Sequence, residues 1–154
     1  MPNLATGVFR DELGAVVMVV QNAVAPSNEE WEAYLAIIRS CLDLPNASGL
    51  AFTDGGTPDA LQRGRVNELI RGRRAPSAVV SNSLAVRSVI TALRWFSPET
   101  AAFPPRNVQA ALSFARVEGR RVPAVWRAVL APDRQLTPPA QLISEADSLL
   151  RKAI

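Results

Sequence analysis

Strand-length apolar runs alternate with helix-type segments four times between residues 15 and 115, and no other feature of the chain limits its fold as much. The strands are expected at residues 15–21, 49–53, 77–81 and 100–103. The first helix opens at Ser27, three residues before Glu30, which is the spacing of a capping box. It runs to about residue 42, with Glu29, Glu30 and Glu32 in the first turn, where the helix dipole favours acids. The second is expected from Pro58 to about Ile70, with Gly72 and the basic Arg71, Arg73 and Arg74 at its exit. Asn82 or Ser83 can cap the third, whose apolar set is Val86, Val89, Ile90, Leu93 and Phe96. Ser97-Pro98 stops it. The fourth follows Pro104-Pro105 and carries Val108, Ala111, Leu112 and Ala115 on one face. Repeats of this kind imply an α/β fold with a mostly parallel sheet and right-handed crossovers. Continuous apolar strands fit burial on both faces. A short strand at residues 4–10 and the turn Asp11-Glu12-Leu13-Gly14 add an opening β-hairpin.

The last third differs. Val122, Val125, Trp126, Val129 and Leu130 form one helical stripe, and Leu142, Ile143, Ala146, Leu149 and Leu150 form another. Two C-terminal amphipathic helices therefore follow the α/β unit, which divides the chain into residues 1–117 and an extension over 118–154. Two placements are open. The helices pack on the core, or one of them binds a partner or a second subunit.

Composition removes several functions. The chain has no histidine, so Ser-His-Asp and Cys-His catalysis within one chain are excluded. With Cys41 as the single cysteine, ordinary zinc sites and internal disulfides go too. Cys41 itself reads as a small buried hydrophobe. No apolar run reaches the roughly 18 residues of a membrane span, and the N-terminus lacks the pattern of a signal peptide, so a cytoplasmic protein is expected. Charge is uneven. Residues 1–62 hold two arginines against eight carboxylates, and residues 63–134 hold thirteen arginines against four. The basic segment lacks interleaved aromatics and any nucleic-acid-binding motif, so it reads as a solvated arginine-rich surface rather than a nucleic-acid site. Trp31, Trp95 and Phe96 read as core side chains.

The junction Thr53-Asp54-Gly55-Gly56-Thr57-Pro58-Asp59-Ala60-Leu61-Gln62-Arg63 is a strand end, a glycine turn and a helix start. Thr57, Pro58 and Asp59 supply a cap hydroxyl, a first-turn proline and a first-turn carboxylate. Asp59 and Arg63 are placed to pair at i,i+4. Gly55-Gly56 could cradle a phosphate with backbone N–H groups. However, Asp54 and Asp59 flank them, and no G-x-x-x-x-G-K-[ST] spacing is present. A Mg²⁺ site at Asp54 would need further carboxylates at the end of the first strand, where Gln21 and Asn22 stand.

A hairpin followed by repeating βα units resembles the STAS / SpoIIAA-like family of bacterial anti-sigma-factor antagonists, over roughly residues 4–117. The resemblance is carried by Gly49-Leu50-Ala51-Phe52-Thr53-Asp54 entering a helix. The segment from Ala102-Phe103-Pro104-Pro105 to Ala110-Ala111-Leu112 adds to it, being similar to the family's closing strand, turn and helix. The resemblance implies a non-enzymatic switch without a cofactor, binding a partner through the loop and helix after the third strand. In the antagonists a serine following an acidic residue at that helix start is phosphorylated. The acidic position matches Asp54, but Gly55 and Gly56 follow it, and the first hydroxyl is Thr57.

Three functions are thus expected in order. The first is a regulatory protein-interaction module without catalytic or metal-binding residues, its partner another protein such as a regulator or kinase. Its surface would centre on Asp54, Gly55, Gly56, Thr57, Asp59, and the exposed Gln62 and Arg63. Ser81, Asn82 and Ser83 of the next unit would join it, because parallel strands bring their C-terminal ends to one edge. The second is a small-molecule or phosphate-ester binder using the Gly55-Gly56 turn. The third is a homo-oligomer held through the C-terminal helices.

Overall fold

A computed structural model describes residues 2–73, 75–93 and 99–153. Trp95, Phe96 and the Ser97-Pro98 stop lie outside the described residues. The chain opens with an antiparallel hairpin, β1 (Leu4–Asp11) and β2 (Gly14–Gln21), in the register Leu4 opposite Gln21 to Asp11 opposite Gly14. The Asp11 carboxylate closes the turn by accepting from the N–H groups of Leu13 (3.0 Å) and Gly14 (3.2 Å). Then come α1 (Asn28–Cys41), β3 (Ser48–Thr53), α2 (Ala60–Ile70), β4 (Ser77–Ser81), α3 (Leu84–Leu93) and β5 (Thr100–Phe103). The five strands lie in sequence order, and every pair after the first is parallel. This is the α/β architecture expected from the alternation.

The pleat sorts the side chains. Val16, Met18, Val20, Leu50, Phe52, Ala78 and Val80 face one layer, and Val17, Val19 and Ala51 face the other. The second layer holds α1 and α2, through Trp31, Leu35, Ile38, Val66 and Leu69. Right-handed crossovers in one direction place α3 on the same side. The first layer holds α4 (Val108–Phe114), α5 (Arg121–Asp133) and α6 (Gln141–Ala153). Leu112, Val125, Val129, Leu142, Ala146 and Leu150 of these helices bury against the strands in one continuous cluster, which runs across residue 117 without a break. The apolar stripes of α5 and α6 therefore lie inside the monomer.

Polar contacts fix the helices. Ser27 and Glu30 form the expected capping box on α1. The second carboxylate oxygen of Glu30 accepts from the N–H groups of Asn3 (2.7 Å) and Leu4 (2.8 Å), tying α1 to the start of β1. Burial alone would raise the Glu30 carboxyl, but the Ser27 N–H, with those of Leu4 and Asn3, outweighs it and holds the carboxyl below its ordinary value. Arg121 at the start of α5 is buried and makes a two-pronged contact with Asp11 (2.9 and 3.1 Å). The Trp126 indole packs edge-on to Phe52 at 5.6 Å and donates to Asp147 of α6 (2.8 Å).

Two expectations are corrected. The second helix begins at Ala60 rather than Pro58, because Asp59 caps it. The apolar set of α3 is incompletely covered: Val89 is exposed and Val86 and Ile90 are half-buried, the main packing partners of α3 among the described residues being β4 and β5. Among the described residues, no helix is long and apolar enough to cross a membrane.

Candidate functional site

Parallel strands β3 and β4 end side by side, Thr53 opposite Ser81. Their exits form the edge on which the sequence placed a surface. Ser81 is fully buried and its hydroxyl donates to the Thr53 carbonyl (2.7 Å), locking the two exits together. The same oxygen accepts from the Ser83 N–H (3.1 Å), and the Ser83 hydroxyl accepts from Val86 N–H (3.3 Å), making Ser83 the cap of α3. Asn82 is exposed between them.

The glycine turn is equally occupied. Gly55 adopts φ +138°, a conformation that suits glycine. Its N–H donates to Thr53 Oγ1 (3.1 Å), and that hydroxyl donates to the Gly56 carbonyl (2.7 Å). Gly56 N–H donates to the Asn22 carbonyl (3.0 Å). A Cβ on Gly56 would stand 2.4 Å from the Val24 carbonyl oxygen, so only glycine fits. Both N–H groups that could cradle an anion are thus engaged within the fold.

Asp54 has an unexpected role. Its carboxylate accepts from the N–H groups of Gln141 (2.5 Å) and Leu142 (3.0 Å), so it caps α6 across 87 residues of chain. Beside it, Asp133 accepts from Ala140 N–H (3.0 Å). Burial pushes the Asp133 carboxyl above its ordinary value, and the Asp54 charge adds to that, against the Ala140 N–H and Arg134. Asn22, at the end of β2, is buried and joins the same junction. Its amide donates to Asn3 Oδ1 (3.0 Å) and to the carbonyls of Pro138 (3.2 Å) and Thr137 (3.4 Å). The connector between α5 and α6 therefore covers the edge beside β2 and β3. Among the described residues no cluster of three or more potential metal ligands occurs.

Three site residues depart from expectation. Thr57 is exposed and caps nothing; Asp59 is the N-cap of α2, its carboxylate accepting from Gln62 N–H (2.8 Å) while Gln62 Oε1 accepts from Asp59 N–H (2.9 Å). Gln62 is not an exposed partner residue but only 4% exposed. Beyond that capping box its amide donates to Pro26 O (3.2 Å) and Asn28 Oδ1 (3.0 Å), and its backbone carbonyl accepts from the Trp31 indole (2.8 Å). The pattern Asp59-x-x-Gln62 is itself a capping box, and that signal identifies both residues. Arg63 is exposed as expected, but its guanidinium donates to the Pro58 carbonyl (2.8 Å) rather than pairing with Asp59. The edge also leaves two large apolar side chains open. Leu61 is 82% exposed and Leu84 is 71% exposed, each in the first turn of its helix. Sequence reasoning missed both, because each occupies a position that a buried stripe would also fill.

No protein-family model matches the chain, and no curated protein matches it. Among solved structures, an uncharacterized DUF3478-family protein from Shewanella loihica PV-4, described as having a SpoIIAA-like fold, superposes with TM-score 0.52 at 17% identity, covering 75% of this chain and 95% of that one. The chain has a SpoIIAA-like fold. In that frame, the glycine turn and the start of α2 occupy the loop and helix after the third strand. The Shewanella protein establishes the fold and carries no activity over to this chain.

Proposed function

We propose that this chain is a non-enzymatic interaction module that binds another protein through the exposed starts of α2 and α3. The observation that carries it is the pair Leu61 and Leu84, two leucines left in solvent at one sheet edge. Polar Thr57 and Arg63, near Leu61 in sequence, and Asn82, near Leu84, are exposed as well. Apolar anchors inside a polar rim are the usual anatomy of a protein contact. The SpoIIAA-like fold supports this placement, since the resemblance puts the partner of such modules at the helix after the third strand. A partner of regulatory type, a second regulator or a kinase, fits that resemblance. Absence of catalysis is supported by the chain's lack of histidine and by the use of Asp54 and Asp59 as helix caps. With the Gly55 and Gly56 N–H groups engaged, the phosphate-ester reading loses its donors.

The test uses Leu61→Asp and Leu84→Asp, two changes at exposed positions that leave the core intact. A partner recovered by cross-linking in the native host is purified and titrated against each variant. Affinity is expected to fall at least tenfold, about 1.4 kcal/mol, with an unchanged thermal midpoint. Equal affinities for the native chain and both variants would remove this surface from consideration.

A further inference from the structure

At the opposite end of the strands from Asp54, α1 and α2 do not close fully over the sheet. They leave a half-open cavity of about 140 Å³. Its floor follows from the register. Val17, Gly49 and Ser77 lie abreast on β2, β3 and β4, and the central residue has no side chain. Tyr34, Ile38 and Leu42 of α1 and its exit make one wall, and Val66 and Ile70 of α2 make the other. This is roughly the volume of an apolar cavity that takes up benzene.

Two features select the occupant. Among the described residues the one charged lining residue, Arg73, already donates to Asp43 (2.7 Å) and the Leu42 carbonyl (2.9 Å), so these residues present no unpaired charge to the cavity. Three lining residues, Tyr34, Ser48 and Ser77, carry hydroxyls; the buried Ser48 hydroxyl has no hydrogen-bond partner among the described residues, and no described residue pairs with the hydroxyl of Ser77 or Tyr34. An apolar chamber with a few polar groups of this kind is the general form of a small-molecule site. We propose that this cavity binds an uncharged single-ring compound carrying one hydroxyl group, with the ring between the α1 and α2 walls and the hydroxyl meeting Tyr34 or Ser77, whose Oγ lies over Gly49. The site is separate from the Leu61 and Leu84 surface, and either can exist without the other.

Cys41 lines the cavity and is the chain's only cysteine, so it reports occupancy. The probes are p-cresol, which carries the hydroxyl, and toluene, which lacks it. We expect p-cresol to bind saturably by calorimetry and to slow alkylation of Cys41 severalfold, with toluene weaker. Ser77→Ala combined with Tyr34→Phe should weaken p-cresol roughly tenfold and leave toluene unchanged. Val66→Phe fills the chamber from α2 and should abolish both; Ala47→Phe fills it from the mouth and replaces the first variant if that one does not fold. No saturation with either probe at millimolar concentration overturns the proposal. So does p-cresol binding that survives a folded filled variant, or equal affinity for the two probes.

Discussion

A carboxylate at a strand end in this fold invites a regulatory or metal-binding role, and Asp54 is engaged as the cap of α6. Both of its oxygens accept N–H groups from the first turn of α6. The residue type was legible in the sequence as acidic at a strand end; its partner was not, because the contact joins positions 87 and 88 apart and no local pattern encodes it. Gln62 fails for the opposite reason. Its polarity predicts solvent, but its local spacing to Asp59 predicts the cap, and the two-sided amide then finds Asn28 and Pro26 beneath it. Replacing Asp54 by alanine leaves two N–H groups of α6 without an acceptor. Loss of a capping side chain costs about 0.5–2 kcal/mol. With two donors orphaned at once, Asp54→Ala is expected near the top of that range. Urea unfolding checks it: the midpoint should fall with an unchanged slope. A midpoint equal to that of the native protein would mean that α6 is held by packing alone.

At the level of elements, strand and helix order was readable because each unit carries its own period and punctuation. Ser27 and Glu30 announce α1, and Val79 and Val80 sit within the short buried strand β4. Boundaries failed where two caps competed, as Thr57 and Asp59 do before α2. Exposure failed on α3, because periodicity reports an apolar stripe whether or not another element covers it. Helix α2 offers a paired prediction. Gly64 sits inside it with nothing within 4 Å of an added Cβ. Gly64→Ala should therefore raise stability by about 0.5–1 kcal/mol, through lower chain entropy before folding. Gly56→Ala, a few residues earlier, drives a methyl into the Val24 carbonyl, which is backbone and cannot rotate away. It should lower the thermal midpoint and loosen the turn. The same substitution is thus expected to shift the midpoint in opposite directions, and two shifts of one sign would contradict the geometry.

For the molecule as a whole, part of the uneven charge of the sequence is used in pairing across the fold. Acids of the first 62 residues meet arginines of the next segment: Glu32 with Arg65, Asp43 with Arg73, and Asp11 with Arg121. The first two are surface pairs of small energetic weight, whereas Asp11 and Arg121 are largely buried and join the hairpin to α5. The C-terminal helices complete the sheet's first layer rather than extend from it. Leu142, Ile143 and Leu150 of α6 are almost wholly buried. At about 1.5–3 kcal/mol for each such side chain, their burial is comparable with the roughly 5–15 kcal/mol that holds a domain folded. A chain ending at Thr137 lacks all three, and Asp54 and Trp126 lose their partners in α6 as well. Its near-ultraviolet circular dichroism should collapse and cooperative thermal unfolding should disappear, while exposed core surface drives association in light scattering. A shortened chain that stayed folded and merely changed from oligomer to monomer would reverse this assignment and make α6 an intersubunit element. The buried stripe of α6 predicts the first outcome, because Leu142, Ile143, Ala146 and Leu150 already lie in one core cluster with Phe52 and Leu112.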